Sequence, residues 1–193
     1  MHKGKIFILS GPSGSGKTTL YKKLLANRAI CGKLAKTVSV TTRPRRPGEH
    51  NGRDYFFVSP GVFLRKKRAG QFLESEKIFG NYYGTPQKQV RHFLRAGKHV
   101  LLCIDVRGAG TVCRKFPQAV RIFVKAPSLQ MLKARLQKRG SEGDAAVVTR
   151  LQTARRELKE AKHYQYIVVN DHLQTAYKEL EKILCNELGI NEL

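Results

Sequence analysis

The stretch KIFILSGPSGSGKTTL, residues 5–20, decides the fold of this chain. Its apolar part, Lys5 to Ser10, predicts a short buried strand. Gly11 to Thr18 follows with the pattern G-x-x-x-x-G-K-T, and Thr18 to Asn27 predicts a helix. A loop of this pattern between a strand and a helix predicts a binding site for the phosphate chain of a nucleotide.

The residue types of this loop suit an anion. Glycines let backbone N–H groups curl around it, and the helix adds the positive end of its dipole. We expect Lys17 to reach the β- and γ-phosphates and Thr18 Oγ1 to ligate Mg²⁺. The predicted triphosphate-binding residues are Gly11, Pro12, Ser13, Gly14, Ser15, Gly16, Lys17 and Thr18.

Strand and helix patterns alternate along most of the remaining chain. His99 to Ile104, Val120 to Val124 and Tyr166 to Val169 predict further buried strands. This alternation is typical of an α/β protein with a parallel sheet covered on both faces. Helices are predicted at 107–115, 128–138, 147–162 and 173–188.

Residues 37–95 break the alternation and predict an inserted subdomain. Within it, Ser59-Pro60 predicts a helix start, and Gln71 to Ile78 predicts a strand. We expect Asn81 to Pro86 to form a turn or loop and Pro86 to Arg95 to form a helix.

The charge of the chain favours an anionic ligand without naming one. The 193 residues include 37 Lys and Arg against 14 Asp and Glu, a net charge of +23. Such a field attracts nucleotides, nucleic acid or anionic membrane. No apolar run approaches the length of a membrane span and no secretory signal is evident, so we expect a cytoplasmic protein. The four cysteines form no C-x-x-C pair, which argues against a metal site.

The segment TVSVTTRPRRPGEHNGRDYFFV, residues 37–58, narrows the function. It resembles the acceptor-binding region of the guanylate kinase family, whose pattern runs S-x-T-T-R-x-x-R-x-G-E and then G-x-x-Y-x-F. Matching blocks continue in order to residue 171. They are Phe72-Leu73-Glu74, Gly80 to Thr85, Ile104 to Gly108, Arg135-Leu136, Arg139-Gly140 and Val169-Asn170-Asp171.

The resemblance implies a GMP site, and the residue types suit one. Guanidinium forks bind phosphate, and a carboxylate accepts both the N1–H and N2–H donors of guanine, a pair that adenine lacks. Asp105, at the end of a predicted strand, is expected to orient the acceptor nucleotide or a metal-bound water. The implied GMP-binding residues are Ser39, Arg43, Arg46, Tyr55, Glu74, Tyr83, Thr85 and Asp105.

The resemblance also implies an ATP site around the phosphate loop, with Mg²⁺ as cofactor. Arg135 and Arg139 are expected to contact the ATP phosphates, Arg150 to reach the transferring group and Asn170 to lie near the adenine. The implied catalytic residues are Lys17, Arg43, Arg139 and Arg150.

Two positions depart from the family pattern. Cys103 stands where the family usually has a carboxylate, which leaves open how Mg²⁺ and Lys17 are oriented. Arg45 stands where proline is usual, with Pro44 one place earlier, so we expect a slightly different turn.

The family fold implied for the chain is a three-layer α/β P-loop NTPase fold with a parallel sheet core. It would form a single domain over residues 1–193, with a core at 1–36 and 97–193. An inserted mixed α+β GMP-binding subdomain would occupy about 37–96. A small lid would occupy about 136–150, where the sequence is small, polar and glycine-rich.

The implied reaction transfers the γ-phosphoryl group of ATP to GMP, with dGMP as a second acceptor, and gives ADP and GDP. This places the chain in purine metabolism and GMP recycling. The expected partners are ATP and GMP, without membrane or nucleic acid, in a monomer or homodimer.

Three alternatives remain at this point. A non-catalytic module related to the family would usually have lost the phosphate loop, which is intact here. A kinase for another phosphate ester, such as a ribose bisphosphate, does not need the base-reading set Ser39, Glu74 and Thr85. A basic protein acting on nucleic acid fits the net charge but not the ordered substrate motifs, and Arg65 to Arg68 is typical of a solvated helix face.

Overall fold

The computed structural model describes residues 4–27, 30, 32–138 and 144–190. They belong to two compact units. One unit comprises the start of the chain up to Ile6, with Leu34–Leu102 and Arg107–Ala119. The other comprises Phe7–Lys33, Cys103–Val106 and the chain from Val120 onward. We call them the acceptor unit and the loop unit, because the predicted acceptor segment and the phosphate loop fall in them respectively.

The strands are numbered in chain order. They are β1 (Ile6–Ser10), β2 (Leu34–Lys36), β3 (Val40–Thr41), β4 (Phe56–Phe57), β5 (Phe72–Ile78), β6 (Asn81–Pro86), β7 (His99–Cys103), β8 (Val120–Lys125) and β9 (Tyr166–Val169). The helices are α1 (Lys17–Ala26), α2 (Pro60–Arg68), α3 (Gln87–Arg95), α4 (Val106–Lys115), α5 (Leu129–Lys138), α6 (Asp144–Lys159), a 3₁₀ turn (Glu160–His163) and α7 (Leu173–Leu188).

A five-stranded sheet has the order β2-β7-β1-β8-β9. Its pairings β1–β8, β8–β9 and β2–β7 are all parallel. Every residue of β1 is buried, as a strand with helices on both faces requires. The α/β fold with a mostly parallel sheet is therefore confirmed, as are the predicted strands at β1, β7, β8 and β9.

A second sheet of four strands, in the order β4-β3-β6-β5, lies in the acceptor unit. It is mixed: β3 pairs with β4 in parallel, and β6 pairs with β3 and β5 antiparallel. Because this sheet is built from residues of the irregular segment, it fits the predicted inserted subdomain. The exact division into core, insert and lid stays a prediction.

The prediction of a turn or loop at Asn81 to Pro86 is wrong, because these residues form β6. The turn lies just before them, where Phe79 and Gly80 have φ values of 46° and 81° and Ile78 pairs with Asn81. Two positive φ values in a two-residue loop are those of a hairpin turn. Gly84 sits inside this strand because an added Cβ would lie 2.9 Å from Phe72 Cδ1.

The helices agree with the sequence to within a few residues. Ser59 caps α2 by accepting a hydrogen bond from the Val62 N–H, and Pro60 occupies its first turn, as predicted. The helix predicted at 147–162 is α6 followed by the 3₁₀ turn. Part of the predicted lid, residues 139–143, lies outside the described residues. Within the described ranges, no helix is long and apolar enough to cross a membrane.

Candidate active site

The phosphate loop connects β1 to α1, as the sequence predicts. Gly11 and Gly16 have φ values of 137° and 91°, in the region that favours glycine. A Cβ added to Gly11 would lie 2.0 Å from the Val124 carbonyl oxygen. A Cβ added to Gly16 would lie 2.0 Å from Asn170 Nδ2. The two glycines are therefore required by backbone conformation and by close neighbours.

Lys17 and Thr18 open helix α1. Lys17 Nζ donates to the carbonyl oxygens of Gly11 at 2.5 Å and Pro12 at 2.8 Å, so the ammonium lies against its own loop. Thr18 is exposed, and α1 has no acidic residue in its first turn. The positive end of this helix is thus without a local carboxylate that would oppose phosphate binding.

Asn170 follows β9 and contacts the phosphate loop directly. It is 4% exposed, its Nδ2 donates to the Ser15 carbonyl oxygen at 2.8 Å, and its backbone N–H donates to the Lys125 carbonyl at 2.8 Å. Its position near the adenine stays a prediction. In the structure, the side-chain amide of Asn170 contacts Ser15 of the phosphate loop.

The arginines predicted for ATP have different surroundings. Arg150 Nη1 donates to Ser13 Oγ at 2.9 Å, which joins α6 to the phosphate loop. Arg135 Nη2 donates to the Asp171 carbonyl at 3.2 Å, at the residue after Asn170. Arg139 lies outside the described residues.

Cys103 and Asp105 stand at the end of β7. Burial raises the pKa of the Cys103 thiol, and the nearby Lys17 ammonium lowers it by less, so the thiol is neutral at neutral pH. Cys103 thus places an uncharged group at the position where the family pattern described above usually has a carboxylate. Ser10 Oγ donates to the backbone carbonyls of Ile104 at 2.8 Å and Asp105 at 3.3 Å.

Arg43 and Glu49 form a two-point ion pair in the acceptor unit. Arg43 Nη2 donates to Glu49 Oε1 at 2.7 Å and Oε2 at 3.0 Å, and the Arg46 N–H donates to Oε2 at 2.9 Å. Burial alone would lower the Arg43 pKa, but the bond to Glu49 raises it on balance. Burial would raise the Glu49 pKa, but the Arg43 and Arg46 donors lower it on balance.

Two tyrosines lie near the Arg43 guanidinium. Its Cζ lies 5.6 Å from the Tyr55 ring centroid, and the rings of Tyr55 and Tyr83 are 6.1 Å apart. The structure thus brings together Arg43, Tyr55 and Tyr83, three of the residues predicted to bind GMP. Phenolic hydroxyls and a guanidinium are donors that suit such a phosphate.

Glu74 and Thr85 lie opposite each other on β5 and β6. The Thr85 hydroxyl donates to Glu74 Oε1 at 2.5 Å, and both side chains are buried, at 5% and 0% exposure. Tyr83 is two residues along β6 from Thr85, so the three side chains share one face of the mixed sheet. Tyr83, a candidate for binding the GMP phosphate, is therefore on the same face as the base-reading candidates Glu74 and Thr85.

A β-bulge at Leu73 sets the direction of Glu74. Phe72 pairs with Pro86 and Glu74 with Thr85, so the residues on either side of Leu73 face opposite ways. Phe72 packs with Phe63, which also stacks on Tyr82 at 5.3 Å between ring centroids. Because of the bulge, Phe72 packs among the aromatic rings on one face of the sheet, and the Glu74 carboxylate lies on the opposite face.

The other predicted GMP residues are placed less closely. The Ser39 carbonyl accepts the Phe56 N–H, and Arg46 is exposed apart from its backbone bond to Glu49. Asp105 belongs to the loop unit, unlike the rest of the set.

Sequence reasoning missed two residues of this unit. Glu49 was part of the R-x-G-E pattern and could have been paired with Arg43. Lys115 Nζ donates to the Leu73 carbonyl at 2.6 Å, at the bulge, and carries no local sequence signal.

Comparisons with known proteins decide the family. A family model described as "Guanylate kinase" matches residues 3–187. The chain belongs to the guanylate kinase family. It is similar to a guanylate kinase of Rubrobacter xylanophilus, with 45% identity over 95% of each chain, and to one of Desulfitobacterium hafniense, with 44% identity over 95% of this chain and 90% of that one.

A solved structure supports the same conclusion for the fold. The crystal structure of guanylate kinase from Anaplasma phagocytophilum superposes with a TM-score of 0.80 at 33% identity, covering 96% of this chain and 87% of that one. The match therefore includes both units of this guanylate kinase family member.

Proposed function

We infer that the chain transfers the γ-phosphoryl group of ATP to GMP and gives ADP and GDP. The observation that carries this function is the match of the family model along residues 3–187. The phosphate loop and the buried Glu74–Thr85 pair support it, since they supply a triphosphate site and a guanine-reading carboxylate. A non-catalytic module is disfavoured by the complete loop.

On the donor side, we propose that the phosphate loop and Lys17 bind the triphosphate, and that Arg135, Arg139 and Arg150 add positive charge. Phosphoryl transfer depends chiefly on positioning and on neutralising the phosphate oxygens. The Lys17 ammonium is already held against the loop by two carbonyls, which supports this role.

We propose that Mg²⁺ accompanies ATP and is held by Thr18. The residues fit a nucleotide-borne Mg²⁺, because Thr18 offers an exposed hydroxyl at the first turn of α1 and Mg²⁺ takes its other ligands from phosphates and water. No group of three His, Cys, Asp or Glu side chains among the described residues could hold an independent metal. When bound, the ion would neutralise phosphate charge.

On the acceptor side, we propose that Glu74 reads the guanine N1–H and N2–H, with Ser39 and Thr85 on the remaining base edge. Arg43, Arg46, Tyr55 and Tyr83 would bind the phosphate. The contacts among Arg43, Tyr55 and Tyr83 support this assignment. Asp105 would orient the acceptor from the end of β7.

A substrate panel tests the function. ADP release is measured with GMP, dGMP, AMP, CMP and UMP as acceptors, each with MgATP. We expect turnover with GMP and dGMP and much less with the others, because the wrong bases leave Glu74 without its donors. A panel without GMP preference would contradict the assignment. The cytoplasmic location and the monomeric or homodimeric state stay predictions.

A further inference from the structure

We propose that Asn170 is a positioning residue that sets the shape of the phosphate loop. The inference rests on the proposed function of that loop and gives Asn170 a task other than contact with the base. Its starting point is the buried side-chain amide of Asn170, which follows β9 and contacts Ser15 of the loop.

The amide bond to Ser15 fixes one peptide plane. Asn170 Nδ2 donates to the Ser15 carbonyl oxygen at 2.8 Å in a buried environment. In a trans peptide the C=O and the following N–H point in opposite directions, so holding the Ser15 carbonyl also fixes the direction of the Gly16 N–H. The Gly16 N–H belongs to the set of backbone donors that such a loop offers to phosphate.

The same side chain explains why residue 16 is glycine. A Cβ there would lie 2.0 Å from Asn170 Nδ2, and the φ of 91° disfavours any other residue. The Gly16 carbonyl in turn accepts the N–H groups of Thr19 and Leu20, which starts α1. Asn170 thus sits against the point where loop becomes helix.

Asn170 is itself held in place. Its backbone N–H bonds to the Lys125 carbonyl, which ties the residue to the end of β8. The amide oxygen Oδ1 is buried and has no hydrogen-bond partner among the described residues, so the donor Nδ2 is the half of the amide that the fold uses. Losing that donor would leave the Ser15 carbonyl buried without its partner.

A polyphosphate that lacks adenine can distinguish a role of Asn170 in positioning the loop from a direct contact of Asn170 with adenine. Calorimetry would measure the binding of Mg-tripolyphosphate and MgATP to the wild type, Asn170→Ala and Asn170→Leu. Leucine keeps a similar volume without adding a charge, but it lacks the N–H donor. Asn186→Ala, at an exposed position of α7, is the matched control. Circular dichroism and thermal melting would confirm that the variants are folded.

We expect both Asn170 variants to bind tripolyphosphate and ATP about tenfold more weakly, by the same factor, with the KM for GMP unchanged. Loss of ATP affinity with unchanged tripolyphosphate affinity would overturn the proposal and favour contact with adenine. Unchanged affinity for both ligands would also overturn it. Tripolyphosphate binding involves no GMP, so it tests the role of Asn170 independently of the acceptor. If the wild type released no ADP in response to GMP, the proposed function would be contradicted, but the comparison of tripolyphosphate affinities would still test the role of Asn170.

Discussion

Arg43 and Glu74 are predicted site residues whose orientation depends on a neighbour. The Arg43 guanidinium is clamped by Glu49, and the Glu74 carboxylate accepts the Thr85 hydroxyl. Long charged side chains lose rotamer freedom when they bind a ligand, so neighbours that fix them beforehand reduce that cost. At this scale, the acceptor unit contains side chains that are oriented without substrate.

Replacing Glu74 by glutamine tests base reading. The substitution keeps the shape but turns one acceptor into an N–H donor that faces the guanine donors. We expect the GMP KM to rise about 100-fold, with the ATP KM within twofold of the wild type. Initial rates with each substrate varied in turn would measure both, with the exposed Glu179→Gln as control. Equal losses for GMP and ATP would argue against this role.

The Arg43–Glu49 pair predicts a pH-dependent stability. Because the folded-state pKa of Glu49 is lowered, its contribution is complete above the usual carboxyl range and disappears as the pH falls through the lowered value. Urea unfolding should show the wild type about 1–2 kcal/mol more stable than Glu49→Gln at pH 7. This difference should shrink toward pH 3, and a difference that stays constant with pH would contradict the assignment.

In the acceptor unit, a β-bulge in strand β5 sets the direction of the candidate residue Glu74. The bulge at Leu73 turns Glu74 to the face of Thr85 and Tyr83 while Phe72 joins the aromatic core on the other face. A bulge leaves a backbone group unpaired in the ladder, and here Lys115 of α4 donates to the Leu73 carbonyl. Arg107, at the other end of α4, donates to the Lys77 carbonyl at 2.9 Å, so the helix contacts β5 at two points.

Lys115→Met should loosen the bulge and misplace Glu74. The variant keeps much of the aliphatic stem and removes only the ammonium donor. We expect the KM for GMP to rise about threefold to tenfold with the KM for ATP unchanged, since a typical hydrogen bond contributes about 0.5–1.5 kcal/mol, roughly the free energy of that change. Lys115→Arg should restore the donor and most of the affinity.

The control for that experiment is Lys133→Met, at an exposed position of α5 in the loop unit. Both lysine variants lose one positive charge, so a general electrostatic effect would appear in each. A Lys115→Met enzyme with the wild-type GMP KM would show that the lysine does not position Glu74.

For the whole molecule, the charge of +23 is unevenly distributed along the chain. Residues 142–193 contain slightly more acidic than basic residues, so the excess lies in the preceding part. Two phosphorylated substrates repel each other, and a strongly positive chain offsets that repulsion and attracts both. The basic run Arg65 to Arg68 ends α2, where cations also complement the helix dipole.

The charge alone should give only weak binding to nucleic acid. We expect a labelled RNA or DNA duplex to bind with a Kd of about 1 µM or weaker at 150 mM salt, because non-specific electrostatic binding is typically in the range of about 10⁻⁴–10⁻⁶ M. Fluorescence anisotropy across a salt series would measure it. Sub-micromolar affinity at this salt, with a steep slope, would instead support a second, nucleic-acid function.

The sequence by itself determined the strand–loop–helix unit, the α/β class and most candidate residues. These depend on local patterns: buried strands are apolar, and the loop glycines adopt backbone conformations that other residues avoid. It did not predict β6, because Asn81, Gly84 and Pro86 have low strand propensity and only pairing with β3 and β5 makes them a strand.

Only the tertiary structure decided which distant side chains contact the candidate site residues. Asn170 and Ser15 are 155 residues apart, and Lys115 and Leu73 are 42 apart, so no local pattern links them. Such contacts depend on the order of the strands and on a bulge that reverses the alternation of side chains. The periodicity of a single sequence does not reveal either of them. The loop residues proposed to bind phosphate are therefore predictable from sequence, whereas the long-range contacts of Asn170 and Lys115 are found only in the folded chain.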